Sequence, residues 1–418
     1  MWSRARAGGL TMLLAATLSG GCQGQDQGGL SEGGLEAMID SLLPSIAATS
    51  GLELRSPVRF ALQSRDEARR FIEAQLEEEL GPEELDGMER AYKAFGALPD
   101  TLDLRSLLLA LYTEQVVGYY DPETDRLYVL EGADRATAGP VVAHELVHAL
   151  QDQHTDLDSL VARERGNDRQ MAAQAAAEGQ ATLVMMALQA TETTGREIGP
   201  GSLPDIGTML RPALEAENAR FPVFQSAPPL IRETLLFPYL EGAGFVQMLF
   251  RSRRGGAPPV PFGELLPQST EQVLRPAARF LGGPDAPSEL ELGSAGDGWT
   301  VVYTNTLGQL ETSIVLEQHL RGEHTADGWD GDRYALLVGP DGGEALVWYS
   351  VWDDAAAADR FADGWRRGLS ARTGRVGRVE RREVEGRPVV RVVEADTGID
   401  LDALPVPDLV SIQEIQRR

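Results

Sequence analysis

The string His144-Glu145-Leu146-Val147-His148 constrains this chain more than any other feature of its 418 residues. Three of the five histidines fall between positions 144 and 154. On an α-helix, residues four apart stand one above the other on the same face. His144 and His148 can therefore aim both imidazoles at one metal ion, with Glu145 placed to take a proton from a water beside it. A random chain of this composition would carry the string about once in two hundred trials, so it is specific in itself. The plainer reading, a helix with two satisfied core histidines and a surface glutamate, is weaker on that count.

The flanking residues predict a helix over 138–153. Asp134 or Thr137 can cap it, and Pro140 suits its first turn. Val141, Val142, Leu146, Val147 and Leu150 give it faces to bury. A catalytic zinc needs a third protein ligand and an open position. His154 sits where a compact HExxHxxGxxH site would put a third histidine, but Gln151 occupies the glycine position and the helix has no reason to break there. His319 and His324 lie far downstream. Glu178 fits better. It lies 30 residues after His148 in a run of Ala, Gln and Met with no other charge between 171 and 186. A lone carboxylate in such a helix is costly to bury unless it is paired or bound to a metal. The small residues around it would let this helix pack closely against the first.

With His144, Glu145, His148 and Glu178 in view, the chain resembles the zincin superfamily, and within it the gluzincins, in which HExxH is followed by a glutamate ligand on a second helix. Glu178-Gly179-Gln180-Ala181 is similar to the EGxA string that many bacterial zincin-like peptidases carry at that ligand. Residues 115–130, GYYDPETDRLYVL with its flank, read as a β-hairpin turning at 121–125. Zincins place such an edge strand beside the cleft, where an extended substrate can add to it. That segment, HELVHALQDQH and FPYLEGAGFVQMLF resemble a group of bacterial metallopeptidase-like envelope proteins, over roughly residues 100–280. Thr182 stands where thermolysin-like gluzincins have an Asp that orients a ligand histidine, so that role falls to Gln151 or Asp152. No counterpart of thermolysin's downstream histidine is visible. Some gluzincin aminopeptidases use a tyrosine hydroxyl against the oxyanion, and Tyr239, 61 residues after Glu178, is the candidate. The plainer reading of Tyr239 is a ring at a helix start, packed into the core.

The N-terminus points to a location. Residues 2–6 are basic, and 10–18 are apolar but too short to span a bilayer. Leu18-Ser19-Gly20-Gly21-Cys22 resembles a bacterial lipobox, with Leu one place earlier than usual. Cys22 is the sole cysteine, so no disulfide forms within the chain. The expected division is a signal peptide at 1–21, a tether at 22–34, a zincin-like domain at 35–281, a linker at 282–298 and a smaller domain at 299–418. The balance of 38 Lys+Arg against 64 Asp+Glu, net −26, argues against nucleic acid and against binding to anionic lipid.

The expected fold class is α+β: a mainly helical domain with a small edge hairpin, then an antiparallel sheet with helices ordered αββαββ. Trp329-Asp330-Gly331-Asp332 lacks the ligand spacing of a calcium loop and reads as a turn entering a strand. The expected activity is Zn2+-dependent hydrolysis of peptides or proteins at the bacterial cell envelope, outside the cytoplasm, with a lipid anchor at Cys22. A non-catalytic zinc-stabilised binding lipoprotein and a cell-wall peptide amidase are the alternatives. Substrate preference and oligomeric state are not readable from the sequence.

Overall fold

The computed structural model describes residues 29–162, 165–253, 255–283, 285–320, 326–372 and 374–415. The expected signal peptide, Cys22, His324 and most of the expected tether lie outside them. The chain folds as an α+β protein. Its first part runs α1 (Glu32–Ser50), β1 (Arg59–Gln63), α2 (Arg65–Glu79), α3 (Pro82–Ala94), α4 (Leu104–Gln115), β2 (Gly118–Asp121), β3 (Arg126–Leu130), α5 (Arg135–His154), α6 (Leu157–Leu160), α7 (Asn167–Thr194), α8 (Ile206–Asn218), α9 (Pro222–Ser226), α10 (Pro229–Ser252), α11 (Thr270–Leu274) and α12 (Pro276–Arg279). The second part runs β4 (Ser288–Leu292), β5 (Thr300–Asn305), α13 (Gly308–Leu320), β6 (Trp329–Val338), β7 (Glu344–Trp352), α14 (Ala355–Ala371), β8 (Arg375–Val384), β9 (Arg387–Asp396) and β10 (Leu409–Glu414). Among the described residues, no helix is long and apolar enough to cross a membrane.

Helix α5 starts three residues earlier than its pattern predicts, because Asp134 accepts hydrogen bonds from the Ala136 and Thr137 amides and caps it there. Pro140 therefore lies past the first turn. The expected hairpin is present as β2 and β3. Asp121 fixes its turn by accepting from the Glu123 amide and the Thr124 hydroxyl. β3 is the middle strand of three, with β1 parallel on one side and β2 antiparallel on the other, so β2 is an edge.

Helix α7 is buried along most of its length and ends at Gly195 in the left-handed conformation. Its small-residue face approaches α10 rather than α5 most closely. A Cβ on Gly179 would overlap the Gly242 carbonyl, and one on Gly242 would overlap the Ala175 carbonyl. The two backbones therefore touch beside Glu178. Gly242→Ala should cost about 3 kcal/mol or more, since neither backbone can give way without unpacking the pair. A denaturant midpoint like that of the parent chain would show that the helices can separate freely.

The second part is built on an antiparallel sheet of order β5-β6-β7-β9-β8. The expected αββαββ order is present as α13-β6-β7-α14-β8-β9, with β5 added on the edge. Segment 282–298, expected as a linker, carries β4. Leu290 is buried at the centre of β4, which pairs with β10. Trp329-Asp330-Gly331-Asp332 is not a turn but the start of β6, where a Cβ on Gly331 would overlap the Ser288 carbonyl of β4. Asp332 is held there by the Leu307 and Gly308 amides and the Trp329 and Trp348 indole N–H groups. One apolar core runs through both parts. At their junction the Phe95 ring stands edge-on to Tyr334, Trp348 and Trp365, while the Phe95 carbonyl accepts from Arg372.

Candidate metal centre

Helix α5 presents His144 and His148 on one face, and α7 brings Glu178 against them. His144 Nε2 lies 3.0 Å from His148 Nε2 and 3.0 Å from Glu178 Oε2. His148 Nε2 lies 3.3 Å from the same oxygen. A tetrahedral ion with bonds of about 2.0–2.1 Å holds its ligand atoms about 3.3 Å apart, so the triangle is near the size a metal requires. Within the described residues this is the group of three or more potential ligands that can hold a metal ion. His154, the alternative third ligand, is not part of it. It sits at the end of α5 with its Nε2 at 2.7 Å from the Glu53 carbonyl.

The surroundings favour an ion over a purely internal network. All three residues are at most 1% exposed. Glu178 Oε1 is buried with no hydrogen-bond partner, and so is Glu145 Oε1. Unpartnered buried carboxylate oxygens are costly, and a cation at the triangle would offset the charge of Glu178. Gln151, one turn beyond His148, sets the tautomer. Its Nε2 donates to the Ala177 carbonyl and to Gln180 Oε1, so its Oε1 must face His148 Nδ1, at 2.8 Å, and accept from it. His148 Nε2 is thereby left to aim its lone pair at the triangle. Gln180 in turn donates to the Ser50 carbonyl. Of the two orienting candidates Gln151 has the role. Asp152 instead accepts from the Tyr120 hydroxyl. Thr182 is buried with an unpartnered hydroxyl and makes no contact that would orient a ligand.

Burial dominates the electrostatics. It pushes the Glu145 carboxyl up to about 8, against the lowering pull of His148. It lowers His144 to about 4, although Glu178 opposes it. At His148 burial is outweighed by the Glu178 charge, and the pKa is raised. Glu178 resists its own burial and is held low by His148 and His144. Without an ion the centre is therefore a His148–Glu178 ion pair, whose proton a metal would replace.

Two further residues come to the centre. The Tyr120 amide on β2 donates to Glu145 Oε2 at 2.8 Å, tying the edge strand to the carboxylate. Sequence reasoning placed the strand beside the cleft but not this backbone contact, which no side-chain pattern signals. The Tyr239 ring centroid is 6.2 Å from that of His144. Tyr239 lies in the interior of α10, not at a helix start as its sequence suggests. Pro238 is carried inside the helix, and both residues are buried.

Residues 300–404 match the family model described as "Domain of unknown function (DUF8575)", which covers only part of the chain. No curated protein matches. Among solved structures, a chain described as "a putative hydrolase with a novel fold from Chloroflexus aurantiacus" is similar at 18% identity and a TM-score of 0.33. The match covers 58% of this chain and 87% of that one.

Proposed function

We propose that this chain is a zinc-dependent peptidase of the bacterial cell envelope, held outside the cytoplasm by a lipid on Cys22. The observation that carries the reading is the convergence of His144, His148 and Glu178 beside a buried Glu145 that coordinates nothing itself. Two imidazoles and one carboxylate form the donor set of catalytic zinc, whereas structural sites are usually closed with four Cys or His ligands. Zinc, when bound, would polarise a peptide carbonyl and make a nearby water more acidic. Glu145 Oε2 is fixed by the Tyr120 amide, which leaves Oε1 to accept the proton of the attacking water and return it to the leaving amine. The Tyr239 hydroxyl is the proposed oxyanion donor, and the edge of β2 the proposed track for an extended peptide or protein substrate.

The test is metal analysis of the purified protein together with cleavage profiling on a peptide library, with chelator as the control. The library should include cell-wall peptides, so that an amidase action would show as cleavage confined to them. The almost complete burial of His144, Glu145, His148 and Glu178 favours a second reading, a zinc-stabilised binding lipoprotein. Stoichiometric zinc with no cleavage across the library would establish that reading instead.

The anchor makes its own prediction. Cys22→Ser should release the protein from membranes or block its processing, since among the described residues no helix is long and apolar enough to cross one. Fractionation that finds the variant processed and still in the membrane pellet would refute the lipid anchor.

A further inference from the structure

A cavity of about 180 Å³ begins one turn from the proposed metal centre and runs towards the second part of the chain. On α7 it is lined by Met171 and Gln174, which precede Glu178 by seven and four residues and so share its face. On α10 it is lined by Ile231, Leu235 and Tyr239, the last beside His144. The end nearest the metal centre is thus Tyr239, and the walls beyond it are mainly apolar.

The lining also carries two acids. Glu311 of α13 lines the cavity and is 3% exposed. Its Oε1 accepts from the Tyr92 hydroxyl at 2.8 Å, while Oε2 is buried without a hydrogen bond of good geometry, the Asn167 side chain being the donor beside the carboxylate. Glu79, 9% exposed, lines the same space. Among the described residues no Lys, Arg or His lines it. Pro238 has no N–H, so the Thr234 carbonyl loses its helical partner, and both residues border the cavity. Burial lifts the Glu311 carboxyl to about 8, against the lowering influence of the Asn167 and Tyr92 side chains. An enclosed acid of this kind is stabilised by an incoming cation with donors to share, and the apolar walls suit a methylene stem.

Resting on the peptidase reading, we propose that this cavity is the specificity pocket for a basic side chain of the substrate, with Glu311 as the residue that selects lysine or arginine. The stem lies along Met171, Ile231 and Leu235, and the charged head meets Glu311 Oε2. A site that pairs a buried charge rejects an uncharged analogue strongly, because the acid is then left without its partner.

Titration of N-acetyl-lysine amide and N-acetyl-norleucine amide into the purified full chain tests this without requiring turnover. The lysine compound should bind about 10²-fold more tightly than norleucine. Glu311→Gln should bring the two affinities together, with metal content unchanged. Leu235→Trp, which fills the slot from the other wall, should abolish binding of both, and it serves if Glu311→Gln does not fold. Equal affinities in the parent chain, or a lysine preference that survives Glu311→Gln, would overturn the assignment. Cleavage profiling separates this from the peptidase reading. Hydrolysis with no preference for a basic residue beside the cut removes the pocket and leaves the peptidase. Glu311-dependent lysine binding without any hydrolysis removes the peptidase and leaves the pocket.

Discussion

Glu145→Gln is expected to lower peptide hydrolysis by about 10²–10⁴-fold, the usual worth of a general base, while the protein keeps its metal. The reasoning begins with position. Glu145 follows the first ligand histidine and is fully buried, yet the convergent ligand atoms come from His144, His148 and Glu178 and not from it. Glutamine has nearly the same shape, and its carbonyl oxygen can still accept from the Tyr120 amide that now holds Glu145 Oε2. Metal content and thermal midpoint should therefore stay close to those of the parent. A small rise in stability would also be natural, because burial disfavours the charged carboxylate and the amide carries no charge to desolvate. Tyr239→Phe removes only a hydroxyl from a ring already packed near His144, and its effect on rate should be smaller. Should Glu145→Gln cleave as fast as the parent chain, the water-activation role fails even if the metal centre is real.

How far the molecule could be read in advance depends on whether the signal was local. The metal-binding helix was legible because its ligands sit one turn apart and its cap, Asp134, is adjacent in sequence. Glu178 was legible as an isolated charge in an apolar helix, a conflict that burial makes expensive. The β2–β3 hairpin was legible from its turn chemistry. β4 and β10 were not, because each is a short strand that becomes one only by pairing with the other across more than a hundred residues. The stretch around β4 is rich in Gly, Pro, Asp and Glu and reads as a connector. The start of β6 misled for a related reason. Trp-Asp-Gly-Asp is turn-like locally, but Asp332 gains three hydrogen bonds from distant residues besides the one from Trp329, and Gly331 admits β4. Glu311 gave no sequence signal at all. An acid within a helix is ordinary, and only the packing of α13 against the first part of the chain encloses it.

The second large effect is expected at Glu178. Glu178→Ala should weaken metal binding by at least 10²-fold, whereas His154→Ala should leave it unchanged. Two arguments give the difference. Glu178 Oε2 is within 3.3 Å of both histidine Nε2 atoms, so its loss removes one of three donors and the only negative one. His154 instead spends its Nε2 on the Glu53 carbonyl at the surface end of α5. The same substitution also changes the protons at the site. Glu178 is what raises His148 against its burial, so without it His148 should lose its proton at lower pH. In the parent chain the metal must displace that proton, and its affinity should rise with pH and its binding release acid. In Glu178→Ala the residual binding should be weaker and less dependent on pH. Calorimetry in two buffers of different ionisation enthalpy reads both quantities at once. A His154→Ala chain that loses its metal while Glu178→Ala retains it would mean that the third ligand has been assigned to the wrong helix.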